Sequence, residues 1–185
     1  MKTKSKNMAL VNIPRLDLHD YTQGSTELRA QFVQNIGKAF NETGFVTIAN
    51  HGLSPALIEE LYAVVKAFFD LPQETKDKYE YPELAGQRGY TSKGREKAKD
   101  AKVPDLKEFW HFGQYVSDDS KYKSEYPDNV IVDELPQFNE VGKEAYQMLE
   151  KTGKYVLRAL ALYLGLDEFY FDDKIAEGNS ILRPI

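Results

Sequence analysis

The chain has 185 residues and carries 24 Lys and Arg against 29 Asp and Glu, a formal charge of −5 that argues against general nucleic-acid binding. Its 42% hydrophobic and 29% charged residues are ordinary for a globular protein, and a mean hydropathy of −0.55 without any long apolar run speaks against a membrane span. No cysteine is present, which removes disulfides, thiolate nucleophiles and cysteinyl metal sites, and the start Met1-Lys2-Thr3-Lys4 lacks the apolar stretch of a signal peptide, so the expected setting is a reducing cytoplasm.

Residues 1–10 read as a mobile tail. Val11 to Leu18 form an extended segment that Pro14 confines to a sheet edge. Ser25 or Thr26 can cap a helix predicted over Thr26 to Thr43, with Leu28, Phe32, Ile36 and Ala39 or Phe40 as its apolar stripe and Gly44 placed for a left-handed cap. Phe45 to Ala49 is a short β-branched run, and Asn50-His51-Gly52 supplies turn chemistry. Ser54 then caps a second helix with Pro55 in its first turn; Ile58, Leu61, Val65 and Phe68, widened by Leu57 and Val64, form its stripe, and Leu71-Pro72 ends it near Asp70. A short helix over Gln73 to Tyr79 follows.

Tyr81 to Pro104 holds Gly86, Gly89 and Gly94 and a basic cluster of Lys93, Arg95, Lys97, Lys99 and Lys102 without a sustained apolar period, so it reads as a long surface loop, a kind of segment that often carries function. Phe109 to Phe112 suits a strand, and Tyr115 to Leu135 is polar and irregular. Apolar positions from Phe138 to Leu162, spaced by three and four, predict one long amphipathic helix ending at Gly165. Ser180 to Ile185 opens a further strand. The chain stops inside that apolar run, and an uncovered apolar edge is an aggregation liability, so the sequence is read as the front part of a longer protein. On this reading residues 11–115 are one domain and residues 116–185 are an irregular connection, a long helix and a further strand.

The chemistry available is limited. His19, His51 and His111 lie far apart and none begins a His-x-Asp or His-x-Glu pair, so no facial-triad iron site is written here. His51 suits backbone hydrogen bonding in a turn, His19 suits the surface, and strand alternation sends Glu108 and His111 to opposite faces, which makes them a poor metal pair. Dinucleotide, P-loop, nucleophile-elbow and His-Glu-x-x-His motifs are all absent. Asp118-Asp119, Asp172-Asp173 and the basic run read as solvated charge, and no aromatic residues are interleaved with that run as they are in single-strand nucleic-acid binders.

The order of motifs is more telling than any one of them. Ile13-Pro14-Arg15-Leu16-Asp17-Leu18, Gly44-Phe45-Val46 leading to Asn50-His51-Gly52-Leu53, and Phe68-Phe69-Asp70-Leu71-Pro72-Gln73-Glu74-Thr75-Lys76 resemble the amino-terminal domain of the isopenicillin N synthase-like iron(II)/2-oxoglutarate dioxygenases. The likeness continues through Arg88-Gly89-Tyr90 with Glu96, Asp105-Leu106-Lys107-Glu108-Phe109, Leu164-Gly165-Leu166 and Ser180-Ile181-Leu182-Arg183.

The resemblance implies a mixed α+β fold: a helical front domain with short strands and one long scaffold helix, leading into a double-stranded β-helix (jelly-roll) barrel largely absent from this chain. It implies a parent oxidoreductase that uses iron(II), dioxygen and 2-oxoglutarate to hydroxylate, desaturate or cyclise a small molecule, or an oxidative cyclase that needs no 2-oxoglutarate. The iron ligands and the arginine that grips 2-oxoglutarate fall after this chain's last residue, so neither cofactor is expected to bind the chain alone and none of its residues is assigned as catalytic or as a metal ligand. It also implies a loop over the cavity mouth, with Arg88 as the match for an arginine that holds a substrate carboxylate, Tyr90 beside it, and Ser180 and Arg183 as second-rank substrate-binding residues. The expected partners are a small-molecule substrate and the protein's own carboxy-terminal barrel, with no nucleic acid and no membrane. The rival from another class is a catalytically silent binding module with the same fold.

Overall fold

The computed structural model describes residues 12–97, 99 and 102–185. The tail expected at residues 1–10, and Val11, lie outside the described residues. In chain order the elements are β1 (Arg15–Asp17), α1 (Leu18–Thr22), α2 (Thr26–Glu42), β2 (Thr47–Ala49), α3 (Pro55–Phe69), α4 (Gln73–Asp77), a 3-10 turn at Pro82–Leu84, β3 (Gly89–Thr91), β4 (Phe109–Gly113), α5 (Pro136–Tyr163), α6 (Asp172–Ile175) and β5 (Ile181–Leu182). Among the described residues no helix is long and apolar enough to cross a membrane. The chain divides into two units, one built from the residues through His51 with Lys154–Asp172, the other from Gly52–Gly153 with Asp173–Ile185.

In the first unit β1 and β2 pair in parallel, Leu16 opposite Ile48. The Asp17 carboxylate accepts from the His19 amide at 2.9 Å, which satisfies an orphan donor and starts α1, a short helix with no signature in the sequence pattern. The Ser25 hydroxyl caps α2 through the Leu28 amide at 3.3 Å. Its buried face is Phe32, Val33, Ile36 and Ala39, packed with Leu18, Tyr21 and Ala159; of the alternatives Ala39 or Phe40 it is Ala39 that faces inward, whereas Leu28, expected in the stripe, is exposed and Val33 joins it. An ionic cluster closes this unit: Glu168 accepts from Tyr21 Oη at 2.8 Å and from Arg29 at 2.6 Å, and burial followed by the carboxylate pushes the Tyr21 phenol up to about 12. Arg158 grips Asp172 through two bonds, Nε to Oδ1 at 3.0 Å and Nη2 to Oδ2 at 2.5 Å, which holds that carboxyl down to about 2.

The second unit is an aromatic core. Ser54 caps α3 through the Leu57 amide at 3.1 Å, with Pro55 at the first helical turn where its missing N–H costs nothing. The buried residues of α3 are Leu57, Val64 and Phe68; Leu61 and Val65 pack on the rim of the core. Phe68 stacks on Phe138 at 4.9 Å and meets Trp110 edge-on at 4.8 Å, with Tyr90 and Tyr79 further out. Phe138 opens the apolar face of α5, whose observed span begins two residues before the predicted one.

β4 is the centre of an antiparallel sheet ordered β3-β4-β5. Tyr90 lies opposite Trp110, and Phe112 opposite Leu182. Alternation sends Trp110 and Phe112 into the core and leaves Phe109 and His111 on the other face. The segment from Tyr81 to Pro104 is not wholly a surface loop. It contains the 3-10 turn and β3, all of whose residues are buried. Gly89 makes this possible, because its φ is +76° and a β carbon there would stand 2.7 Å from the Tyr79 carbonyl that accepts from Tyr90 N. Three residues of strand are too few to show a period, which is why the sequence pattern hides them.

Candidate functional site

The face of the sheet turned away from the core forms one wall of a cleft of about 430 Å3. Phe109 and His111 of β4, Ile181 of β5 and Arg183 just after it line one side; Gln87 and Thr91 are among the residues that the Tyr81 to Pro104 segment contributes to the rest. That segment folds back on itself through Gly94 N to Asp105 O at 2.9 Å and Asp105 N to Glu96 O at 2.8 Å, which brings Arg95 and Glu96 to the rim. Among the described residues, two of the basic side chains expected to be solvated are engaged, Arg95 with Glu80 at 2.8 Å and Lys93 with Glu108 at 3.3 Å.

Arg88 is 1% exposed, an unusual position for a guanidinium. Its Nη1 donates to the Gln87 carbonyl at 2.8 Å and to Asn179 Oδ1 at 3.3 Å, while Nε and Nη2 are buried and meet no acceptor among the described residues. Gly113 explains how it fits: a β carbon there would lie 1.9 Å from Arg88 Cζ. Burial pulls its pKa down, with Tyr146 and Asp128 acting in the opposite direction, and a guanidinium remains charged under such pressure. Arg88 is not part of the cleft wall.

Tyr90 is also 1% exposed and faces the core. Its hydroxyl donates to Glu108 Oε2 at 2.6 Å and accepts from Gln73 Nε2 at 3.1 Å. The same carboxylate oxygen takes the buried Lys76 ammonium at 2.7 Å. Burial pushes the Glu108 carboxyl up, but the bonds from Lys76 and Tyr90 outweigh it and hold it below the usual range; burial and Glu108 push the Tyr90 phenol up.

Ser180 is exposed, and its carbonyl accepts from Tyr146 Oη at 3.4 Å. Arg183 lies on the cleft wall with its guanidinium 4.2 Å above the Phe109 ring and its Nε directed at His111 Nε2. Of the four residues singled out from the sequence, then, Arg183 lines the cleft, Arg88 lies buried beside Gly113, Tyr90 faces the core and Ser180 is exposed. His111, Thr91 and Gln87 were not among those residues. His111 could be found only through the β4–β5 register, which brings together residues 72 apart.

The residues present do not fit an iron centre. Among the described residues no three His, Asp or Glu side chains gather as ligands, and His111 has both ring nitrogens engaged. Glu108 and His111 do occupy opposite faces and share no partner.

The chain is a mixed α/β fold with small sheets, one long helix and a cleft on the free face of the larger sheet. Residues 13–134 match the family model described as non-haem dioxygenase in morphine synthesis N-terminal, and the chain belongs to that family. It is 31% identical over 180 residues to a 2-oxoglutarate-Fe(II) type oxidoreductase of Metarhizium rileyi, covering 91% of this chain and 50% of that protein. A proline hydroxylase of Petromyces alliaceus is 30% identical over 178 residues, covering 94% and 54%. A 2OG-Fe(II) oxygenase family protein from Caulobacter crescentus superposes with a TM-score of 0.80 at 35% identity, over 91% of this chain and 54% of that one. A full-length Neurospora crassa protein in complex with alpha-KG and thymine superposes at 0.73 with 26% identity, over 92% and 54%. The chain spans about half the length of the curated relatives it matches.

Proposed function

We propose that the chain is the amino-terminal, substrate-side part of an iron(II)- and 2-oxoglutarate-dependent oxidoreductase that hydroxylates, desaturates or cyclises a small carboxylate-bearing molecule. Dioxygen would be the oxidant, with iron(II) and 2-oxoglutarate supplying the means to activate it, and on this reading the carboxy-terminal barrel holds the iron and the 2-oxoglutarate. The residues of this chain bind and orient the substrate and keep water from it. The protein works in the cytoplasm, with its substrate and its own barrel as partners.

The observation that carries the carboxylate assignment is the Arg88 guanidinium, buried with Nε and Nη2 uncommitted among the described residues. An unpaired buried charge is costly, and those two nitrogens form one edge of the fork that matches a carboxylate with two parallel bonds. Arg183 offers a second cationic edge, on the cleft wall. Tyr90 serves by fixing β3, since its hydroxyl is engaged with Glu108, and Ser180 sets the start of β5 through its carbonyl.

In the complete enzyme Arg88→Ala is expected to weaken substrate binding by about 1.5 to 3 kcal/mol, the scale of a charge-assisted hydrogen bond, and to leave iron and 2-oxoglutarate affinity nearly unchanged. Arg88→Lys should recover only part of the loss, because an ammonium lacks the planar fork. Apparent substrate affinity in both variants, measured beside uncoupled 2-oxoglutarate turnover, decides the matter. Parent-like values in both would make Arg88 a structural residue.

A further inference from the structure

We infer that His111 is a positioning residue, held as a neutral imidazole between the Gly86 carbonyl and Arg183, which fixes the Arg183 guanidinium in the cleft to receive the carboxylate of an acid with an apolar body. This rests on the reading of the cleft as a substrate site.

The hydrogen-bond pattern leaves little freedom. Arg183 Nε can only donate, and it lies 2.5 Å from His111 Nε2, so that nitrogen must present its lone pair. The ring proton is therefore on Nδ1, which faces the Gly86 carbonyl at 2.5 Å. With both ring nitrogens committed, the imidazole can neither rotate nor bind a second proton without breaking a bond. It holds Arg183 against the face of Phe109, 4.2 Å from the ring centroid.

The outer edge of Arg183 is loosely engaged. Glu96 reaches Nη2 at 3.4 Å and Nη1 at 3.5 Å, well beyond the span of roughly 2.7 to 2.9 Å of a charge-assisted bond, and makes its short contact with Lys107 at 2.8 Å instead. Arg95, the other cation of the cleft, is tied to Glu80 at 2.8 Å. Thr91 Oγ1 is buried on the cleft wall with no partner among the described residues and supplies a further polar contact. Phe109, Ile181, Tyr81 and Pro82 supply the apolar lining, beside Gln87 and two carboxylates, Glu80 and Glu96, that are paired with Arg95 and Lys107. An available cationic edge over an aromatic floor suits a small acid whose carboxylate meets Arg183 and whose body lies on Phe109 and Ile181.

The arrangement gives a pH signature. Protonated His111 would point an N–H at the Nε–H of Arg183 and set two cations together. The groups facing His111 are Arg183, Arg88 and Glu96; burial first, then the two arginines, hold its pKa below the ordinary histidine value, with the Gly86 carbonyl and Glu96 opposing. The pair is intact at neutral pH and lost as the medium becomes acid. A plain arginine–carboxylate contact keeps both charges over that interval and shows no such loss.

The test uses the 185-residue chain, nitrogen-15 NMR of its imidazoles, and 3-phenylpropionate as the probe, with 3-phenylpropanol as the uncharged control. At about pH 7.5 the His111 ring should be neutral and protonated on Nδ1, and probe affinity should fall on acidification in step with the appearance of the imidazolium, below the ordinary histidine value, while the alcohol is unaffected. His111→Gln, whose amide oxygen can still accept from Arg183, should bind within about threefold of the parent near neutrality and lose the pH dependence; His111→Phe should bind about tenfold more weakly throughout. An imidazolium or an Nε2-protonated ring near neutrality overturns the positioning role whatever the ligand does. A Phe variant that keeps both the affinity and the pH profile of the parent overturns it too. If the ring is as described and the acid binds no better than the alcohol, the cleft is not a carboxylate site.

Discussion

Replacing Glu108 by alanine is expected to destabilise the chain by about 3 to 5 kcal/mol, the range for removing one member of a buried ion pair. Lys76 is 5% exposed, and among the described residues its ammonium hydrogen-bonds only the Phe69 carbonyl, at 3.1 Å, besides Glu108. Without the carboxylate it would be a buried charge with one neutral acceptor, and Tyr90 would lose the acceptor of its hydroxyl as well. Glu108→Gln keeps an acceptor and should lose less. Replacing both Lys76 and Glu108 by methionine should recover much of the loss, since a packed apolar pair of similar volume avoids the desolvation of both charges. The carboxyl is held below its usual range when folded. Its contribution is therefore complete above the unfolded glutamate value of roughly 4.3 and disappears as the pH falls through the folded value, whereas Glu108→Gln should show a shallower loss over that window, left to the other lowered carboxyls such as Asp172. Urea unfolding of the parent, the single variants and the double variant measures the coupling; equal stability for Glu108→Ala and the parent would place this cluster outside the folding core.

Phe68→Ala is expected to cost a similar amount, about 3 to 5 kcal/mol, by opening a cavity among rings that cannot close over it. Phe68 is fully buried, stacked on Phe138 and edge-on to Trp110. Those rings come from an α-helix and a strand whose backbones are fixed by their own hydrogen bonds, so relaxation is limited. Phe68→Leu should lose far less. Trp110 is the only tryptophan in the chain, so its fluorescence follows both the unfolding transition and the local repacking. A loss below about 1 kcal/mol in Phe68→Ala would show that the aromatic cluster is loosely packed.

The long elements were legible because each carried a period and a start signal. Ser25 and Ser54 cap α2 and α3 as the sequence suggests, and the spacing from Phe138 onward predicts α5 almost to its ends. The short ones were not. α1 depends on one carboxylate, Asp17, bonding the amide two residues on, and β3 exists because Gly89 lets three residues approach Tyr79 and pair with β4. Neither feature produces a pattern.

The site divides along the same line. Arg88 and Arg183 were singled out through resemblance, and alternation correctly separated Glu108 from His111. What those two groups do was hidden, because their partners come from other segments: Lys76 and Tyr90 for one, Gly86 and Arg183 for the other. Strand register decides such meetings, and period-two alternation alone leaves register open.

The proposed division of labour gives substrate recognition to these residues and the redox chemistry to a carboxy-terminal barrel. The most direct measurement is an anaerobic titration of the 185-residue chain with iron(II), followed by admission of oxygen and an assay for succinate from 2-oxoglutarate, run beside the complete protein. The expected result is iron binding and succinate in the complete protein, and neither micromolar iron binding nor succinate in the chain alone. Stoichiometric iron(II) binding by the chain with succinate formation would contradict it.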